Sequence, residues 1–204
     1  MFLVYDGPDA GDVFKNFTDI PHLINTVKQR DYVGTTELPI NGAANLGAGS
    51  NVFRVSVQRP DSSLFIRLHD MWNDWAESHK GKYGLLELGI QPVPKLLTDA
   101  SNKYLGGNAM QMPDGPYIWI EFLLSASPFL SDDQLVELHE SFKNMTEFIK
   151  PPKGLPLFVN DAAKDQEVLR TYGGFKKLQK IKKKYDPDGF FTKQTVGWSL
   201  EDAD

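Results

Sequence analysis

Apolar residues along this chain switch between a two-residue and a roughly 3.6-residue period, and each switch marks an element. Residues 52–58 set Phe53, Val55 and Val57 against Arg54, Ser56 and Gln58, the signature of a half-buried strand. After Pro60, Asp61 stands where an N-cap belongs, and Leu64, Leu68, Met71, Trp72 and Trp75 recur at helical spacing as far as Lys80-Gly81. Alternation returns with Leu86, Leu88 and Ile90 against Glu87, Gly89 and Gln91, closed by Pro92. Pro94 and Lys95 open another helix through Leu96, Leu97 and Ala100 to Tyr104, with Gly106-Gly107 to stop it. Residues 117–125 are the clearest strand, Ile118, Ile120, Phe122 and Leu124 facing one way and Tyr117, Trp119, Glu121 and Ser125 the other. Leu123 breaks the alternation. Ser131-Asp132-Asp133-Gln134 then forms a capping box, and Leu135, Leu138, Phe142, Met145 and Ile149 make an apolar stripe that Pro151-Pro152 ends.

The two ends are patterned less strongly. Residues 2–5 read as a short strand stopped by Asp6-Gly7-Pro8, and residues 12–19 as a helix with Val13, Phe14 and Phe17 inward. Residues 25–30 suggest an extended piece before a helical turn over 32–38. The small-residue stretch 41–50 invites comparison with a phosphate-cradling loop, but a strand follows it where a helix N-terminus is needed, so it reads as a connector. Residues 155–159 predict a fourth long-range strand, bringing Asn160 to its end. In the last helix Phe175, Leu178, Ile181 and Tyr185 fall near one face, and Lys176, Lys177, Lys180, Lys182, Lys183 and Lys184 crowd the rest.

Strands alternating with helices at these lengths predict an α+β fold: a mostly antiparallel sheet with helices on one face, followed by the lysine-rich helix. The other sheet face, assigned Arg54, Glu87, Gln91, Trp119 and Glu121, is too polar for a core and too aromatic for plain solvent, so something is expected to sit on it. With 204 residues the chain can bury one sizeable core. Its 22 basic and 27 acidic residues leave a net charge of -5, a poor basis for neutralising nucleic-acid phosphates. Cysteine is absent, which removes disulfides and thiolate chemistry. The start lacks the basic end and apolar run of a signal peptide, and no stretch approaches the ~20 apolar residues that cross a bilayer. A soluble, cytoplasmic protein is the expectation, with no nucleic-acid or membrane partner. The sequons at Asn16 and Asn144 would matter only on a secretory route.

Glu121 beside Trp119 is the best acid/base candidate, because a carboxyl against an indole loses hydration and its neutral form is favoured. Glu87 has the same claim. The plain alternative for Glu121 is a cross-strand ion pair with Arg54 or a lysine. Trp72 and Trp75 could stack on a ligand, though helical spacing favours core packing. His22, His69, His79 and His139 lie in unrelated segments without paired ligand spacing, so no metal site is expected. No Gly-x-Ser-x-Gly elbow is present for serine catalysis.

Three stretches carry a family resemblance: Leu157-Phe158-Val159-Asn160-Asp161, then Tyr172-Gly173-Gly174-Phe175, then Lys184-Tyr185-Asp186-Pro187-Asp188-Gly189-Phe190-Phe191. Their order and spacing resemble the C-terminal signature of the berberine-bridge-enzyme-like FAD-linked oxidoreductases. Residues 14–21, residues 88–94 with Leu97-Thr98, and Gly106-Gly107-Asn108-Ala109 are also similar to segments of fungal members. The resemblance implies a substrate-binding domain at 1–156 and a return segment at 157–204, with the flavin domain and its covalently linking histidine lacking a counterpart. It carries over Asn160 as a residue facing substrate or cofactor in the family's Tyr-x-Asn motif. Phe158 stands where that motif has tyrosine and so lacks the phenolic hydroxyl. Tyr185, Asp186, Pro187 and Phe191 carry over as docking residues.

Three readings follow. In the first, the chain is the substrate-binding portion of an FAD-linked oxidase acting on a small secondary metabolite or carbohydrate, with a flavin-domain polypeptide or a second copy as partner. Glu121, Glu87, Asn160, Phe158, Trp119, Gln91 and Arg54 then line its site, and FAD belongs to the complete enzyme rather than to this chain alone. In the second, the retained pocket performs flavin-independent isomerisation or cyclisation with Glu121 or Glu87. In the third, the domain binds without catalysis.

Overall fold

The computed structural model describes residues 3–36, 49–104, 107–194 and 200. The chain divides into two compact units, Met1–Asn45 and Leu46–Asp204.

In the first unit the described residues form two short helices, α1 (Lys15–Thr18) and α2 (Tyr32–Thr36). The strand expected over 2–5 does not form at its described positions, and residues 25–30 lie in no helix or strand. An apolar run becomes a strand only when a ladder accepts its backbone groups, and no described strand of this unit offers one. Helix α1 is shorter than expected, and Val13 and Phe17 are exposed rather than inward. The turn expected over 32–38 is α2 at its described residues. The connector expected at 41–50 lies mostly outside the described residues.

The second unit is built on strands β1 (Asn51–Gln58), β2 (Tyr83–Val93) and β3 (Tyr117–Ala126). Their order is β1-β3-β2, with β3 antiparallel to both neighbours. Helix α3 (Ser62–Ser78) joins β1 to β2 across the intervening strand, a split βαβ connection. Asp61 caps α3 by accepting from the amides of Ser63 and Leu64 at 2.9 and 3.2 Å. Helix α4 (Lys95–Lys103) follows β2, and α5 (Asp132–Thr146) follows β3. The capping box of α5 is formed on both sides: Ser131 Oγ accepts from the Gln134 amide, and Gln134 Oε1 from the Ser131 amide. The sequence therefore stated an α+β fold correctly.

Side-chain period two then assigns the faces. Ile120, Phe122, Leu124 and Ala126 of β3 meet Leu68, Trp72 and Trp75 of α3 and Leu138, Phe142 and Met145 of α5 in the main core. The opposite face of β3 carries Tyr117, Trp119, Glu121, Leu123 and Ser125. It too is covered, by the chain's own segment after α5, whose Leu155, Leu157, Val168 and Tyr172 pack with Val55, Val57 and Tyr117.

That covering segment is not a strand, contrary to expectation for 155–159. The reason lies at the outer edge of β1, where side chains take the place of a fourth ladder. Gln166 donates from Nε2 to the Val55 carbonyl at 2.8 Å and accepts from the Val55 amide at 3.0 Å. Ser56 Oγ and Gln58 Nε2 donate to the carbonyls of Ile149 and Lys150. A glutamine amide reproduces the donor and acceptor of a peptide unit, so the edge is satisfied without a strand.

After a 3-10 turn (Leu169–Thr171), helix α6 (Phe175–Tyr185) carries the lysines, and α7 (Phe190–Gln194) follows. Gly173 and Gly174 let this turn press against Ala109, Met110 and Gln111: a Cβ on Gly174 would stand 2.2 Å from the Ala109 carbonyl oxygen. The Gly174 amide uses that closeness to donate to the Met110 carbonyl at 2.9 Å. Among the described residues no helix is long and apolar enough to cross a membrane.

Candidate active site

Glu121 occupies the middle of β3, paired across the sheet with Val55 on β1 and Gly89 on β2. Cross-strand partners share a face, so the Glu121 side chain leans over a residue with no side chain. A Cβ placed on Gly89 would stand 3.1 Å from Glu121 Cβ and 3.2 Å from Oε2. Glu87 and Gln91 flank Gly89 on the same face of β2, both exposed.

The return segment contributes the remaining groups. Trp119 donates from Nε1 to the Pro156 carbonyl at 2.8 Å, and Phe158 stacks on its indole with ring centroids 4.7 Å apart. Tyr172 donates its hydroxyl proton to the Leu157 carbonyl at 2.8 Å, while the Leu157 amide donates to Thr171 Oγ1. The Trp119 contacts pin Pro156 and Phe158 to the sheet, and the Thr171 and Tyr172 bonds tie Leu157 to the turn that follows. Three residues beyond Phe158, Asp161 is half-buried.

The consequence for Glu121 is electrostatic. Its Oε1 is shut away from water and finds no donor group. Burial, then the charge of Asp161, then the charge of Glu87 push its carboxyl up to about 7. Both neighbouring charges are negative, so every influence favours the protonated form. At neutral pH such a group both gives and takes protons, which is what general acid/base chemistry requires.

The sequence-derived site residues do not all converge. Glu121, Glu87, Gln91, Trp119 and Phe158 lie on or against one sheet face. Asn160 is exposed near the start of the return segment, and it is the charge of its neighbour Asp161 that acts on Glu121. Trp119 is roofed by Phe158 rather than presented as an open platform.

Arg54 corrects the face assignment: it opposes Phe122 and therefore points to the helix side. It is 7% exposed, donates from Nη1 to Asp165 Oδ1 at 2.8 Å, and has Glu147 3.8 Å from Nη2. Lys143 joins at 3.1 Å from Asp165 Oδ2. Burial pushes Asp165 up, but hydrogen bonds from Arg54 and Lys143 outweigh it and leave the carboxyl below its usual range. The ion pair between Arg54 and Glu121 that the sequence allowed is thus replaced by one that fastens the return segment. A cleft of about 230 Å³ beside this cluster is lined by Arg54, Thr146, Glu147, Lys150 and Gln166, on the β1 edge away from Glu121.

Asp161, whose charge raises Glu121, was not singled out by sequence reasoning. Its signal was present in the polar Asn160-Asp161 pair closing an apolar run, but choosing between the two needed the register of the return segment on the sheet.

Comparison with known proteins agrees with the residues that suggested a family. Residues 158–195 match the family described as berberine and berberine like. The chain is 27% identical over 215 aligned positions to an uncharacterized FAD-linked oxidoreductase of Arthroderma benhamiae, covering 97% of this chain and 43% of that one. It is 30% identical over 207 positions to an FAD-dependent monooxygenase of Arthrobotrys oligospora, covering 91% of this chain and 36% of that one. This chain thus spans less than half the length of the curated relatives it matches. No solved structure matches. Residues 158–195 thus carry a berberine and berberine-like signature, and nearly the whole chain is similar to part of two fungal FAD-linked proteins.

Proposed function

We propose that this chain is the substrate-side portion of an FAD-linked oxidoreductase and that Glu121 is its proton-transferring group. The observation that carries the reading is a carboxyl raised to about 7 on a sheet face bordered by the very segment that matches the berberine and berberine-like family. A hydroxyl of a small organic substrate lying over Glu121 loses its proton to the carboxylate; the O–H bond breaks and its electron pair stays on the substrate oxygen. FAD, when bound, supplies the acceptor for the hydride that leaves the neighbouring carbon.

The fit to that cofactor is partial and specific. Glu121, held toward its protonated form, and Gln91 offer a polar surface to a ring or a substrate. The exposed lysines of α6, together with the exposed Tyr185 and Phe190, give this chain a surface on which a flavin-domain partner can dock.

Co-expression with the uncovered region of the Arthroderma benhamiae relative tests the reading. A co-purifying complex that retains yellow flavin, which neither polypeptide keeps alone, is the expected result. Two colourless proteins that do not associate would contradict it. Turnover by rigorously flavin-free chain, lost in Glu121→Gln, would instead favour a flavin-independent isomerase or cyclase built on the same carboxyl.

A further inference from the structure

The two edges of the sheet are finished differently. At the β1 edge Gln166 takes both main-chain groups of Val55, so these groups point away from β3, while the Ala126 amide of β3 donates to the Ser50 carbonyl at 2.9 Å. In an antiparallel ladder the bonding direction alternates along each strand, so even-numbered residues of β3 bond toward β1 and odd-numbered ones, Glu121 among them, turn to β2. The Ser127 amide, which donates to the Lys82 carbonyl at 2.9 Å, continues that alternation. On β2 the partners of the odd residues are Leu85, Glu87, Gly89, Gln91 and Val93, which leaves the amides and carbonyls of Leu86, Leu88 and Ile90 aimed outward. No described strand pairs with that side of β2. Open edges are ordinarily guarded by lysine, a mid-strand proline, a bulge or short length. Strand β2 is 11 residues long, has no Lys or Arg, carries Glu87 as its one charge and keeps Pro92 next to its end. Its irregularity lies at the other end, between Tyr83 and Leu85.

We propose that a second copy of this chain pairs with β2, antiparallel and edge to edge, about a twofold axis at Leu88. The strand's own residues select that register. With Leu88 at the centre, Leu86 meets Ile90 of the second copy, Leu88 meets Leu88 and Ile90 meets Leu86, so all three outward amides and all three carbonyls find partners. Ile90, 43% exposed, gains an apolar neighbour. Moving the centre to Gly89 sets Pro92, which has no amide proton, opposite Leu86, and moving it to Glu87 sets two carboxylates directly opposite each other. In the Leu88 register each Glu87 instead faces Gly89 of the other copy, the residue that leaves room beside Glu121, so each copy contributes a carboxyl to the border of the other's candidate site. The pairing goes beyond the oxidoreductase reading and does not depend on the role of Glu121.

Sedimentation equilibrium of the full chain, joined to amide hydrogen exchange followed by NMR at low and high protein concentration, tests the proposal. A dimer is expected, with exchange at Leu86, Leu88 and Ile90 slowing roughly tenfold or more as it forms. Glu87, Gly89 and Gln91, already turned to β3, should change little. Ile90→Pro removes one outward donor without touching the β3 ladder, and Ile90→Lys sets a charge on the edge; each should return the chain to a monomer with an unchanged circular dichroism spectrum. A chain that stays monomeric at every concentration overturns the pairing, as does a dimer whose three amides exchange at the monomer rate or one that Ile90→Lys leaves intact. Slowed exchange at these amides only in complex with the co-expressed flavin-domain polypeptide would give the edge to that partner, overturning the second copy while supporting the oxidoreductase reading.

Discussion

The two faces of the β1-β3-β2 sheet are buried in different ways. Helices α3 and α5 cover one with Trp72, Trp75, Leu138 and Phe142, continuous with Ile120, Phe122 and Leu124. An irregular segment covers the other, held by individual hydrogen bonds from Trp119, Tyr172 and Gln166. Along β3 itself, every polar atom left buried and without a partner lies on the second face: Tyr117 Oη, Glu121 Oε1 and Ser125 Oγ. Off β3, Arg54 Nε and His139 Nε2 on the helix side are also buried without a partner, so such groups are not confined to the return face; on the central strand they gather there, where they cost stability and can serve chemistry.

This difference can be broken at either face. The largest effect should come from the helix face: Phe142→Ala removes a fully buried ring and is expected to cost about 3–5 kcal/mol in urea denaturation. Next is Gln166→Ala, which strips both side-chain bonds from Val55 and should cost roughly 1–2 kcal/mol, with faster amide exchange at Val55. A loss as large as that of Phe142→Ala would mean that the return segment is part of the main cooperative core.

Glu121→Gln sharpens the comparison through pH. Glu121 is raised from 4.5 to about 7, so the folded state holds a proton that the unfolded chain releases earlier. Its contribution is fully present below about 4.5 and is lost as pH rises through about 7, so wild-type stability should decline across that window. With partial solvent screening the change is on the order of 1–2 kcal/mol, and Glu121→Gln should abolish it. The smallest effect belongs to Asn160→Ala: the side chain is exposed, and the change should stay within ~0.5 kcal/mol.

The sequence showed most where periodicity reports burial directly. The Asp61 cap, the Ser131 capping box, the three strands after residue 50 and the buried stripes of α3 and α5 follow from local rules and are present, whereas Leu96 and Leu97 of α4 and Ile181 and Tyr185 of α6 are exposed. Alternation failed at β1, where both faces are covered: Arg54 and Ser56 are buried along with Val55 and Val57. Strict polar-out reading had no means of anticipating that Arg54 would find Asp165 more than a hundred residues later. The fourth strand failed for a related reason, since propensity for an extended run does not reveal that Gln166 already satisfies the edge it would join. At the proposed site, the upward push on Glu121 agrees with the lost hydration expected of a carboxyl in an apolar strand, but the space beside it over Gly89 became visible only through the register of β2 on β3.

The central claim is that Glu121 is a neutral acid on the return face under conditions where ordinary carboxyls are ionised. Infrared difference spectroscopy between wild type and Glu121→Gln at about pH 6 tests it directly, because the usual glutamate value lies well below that pH. The account predicts a protonated carboxyl carbonyl band present in the wild type and missing from the variant. A difference spectrum containing only carboxylate bands would contradict it.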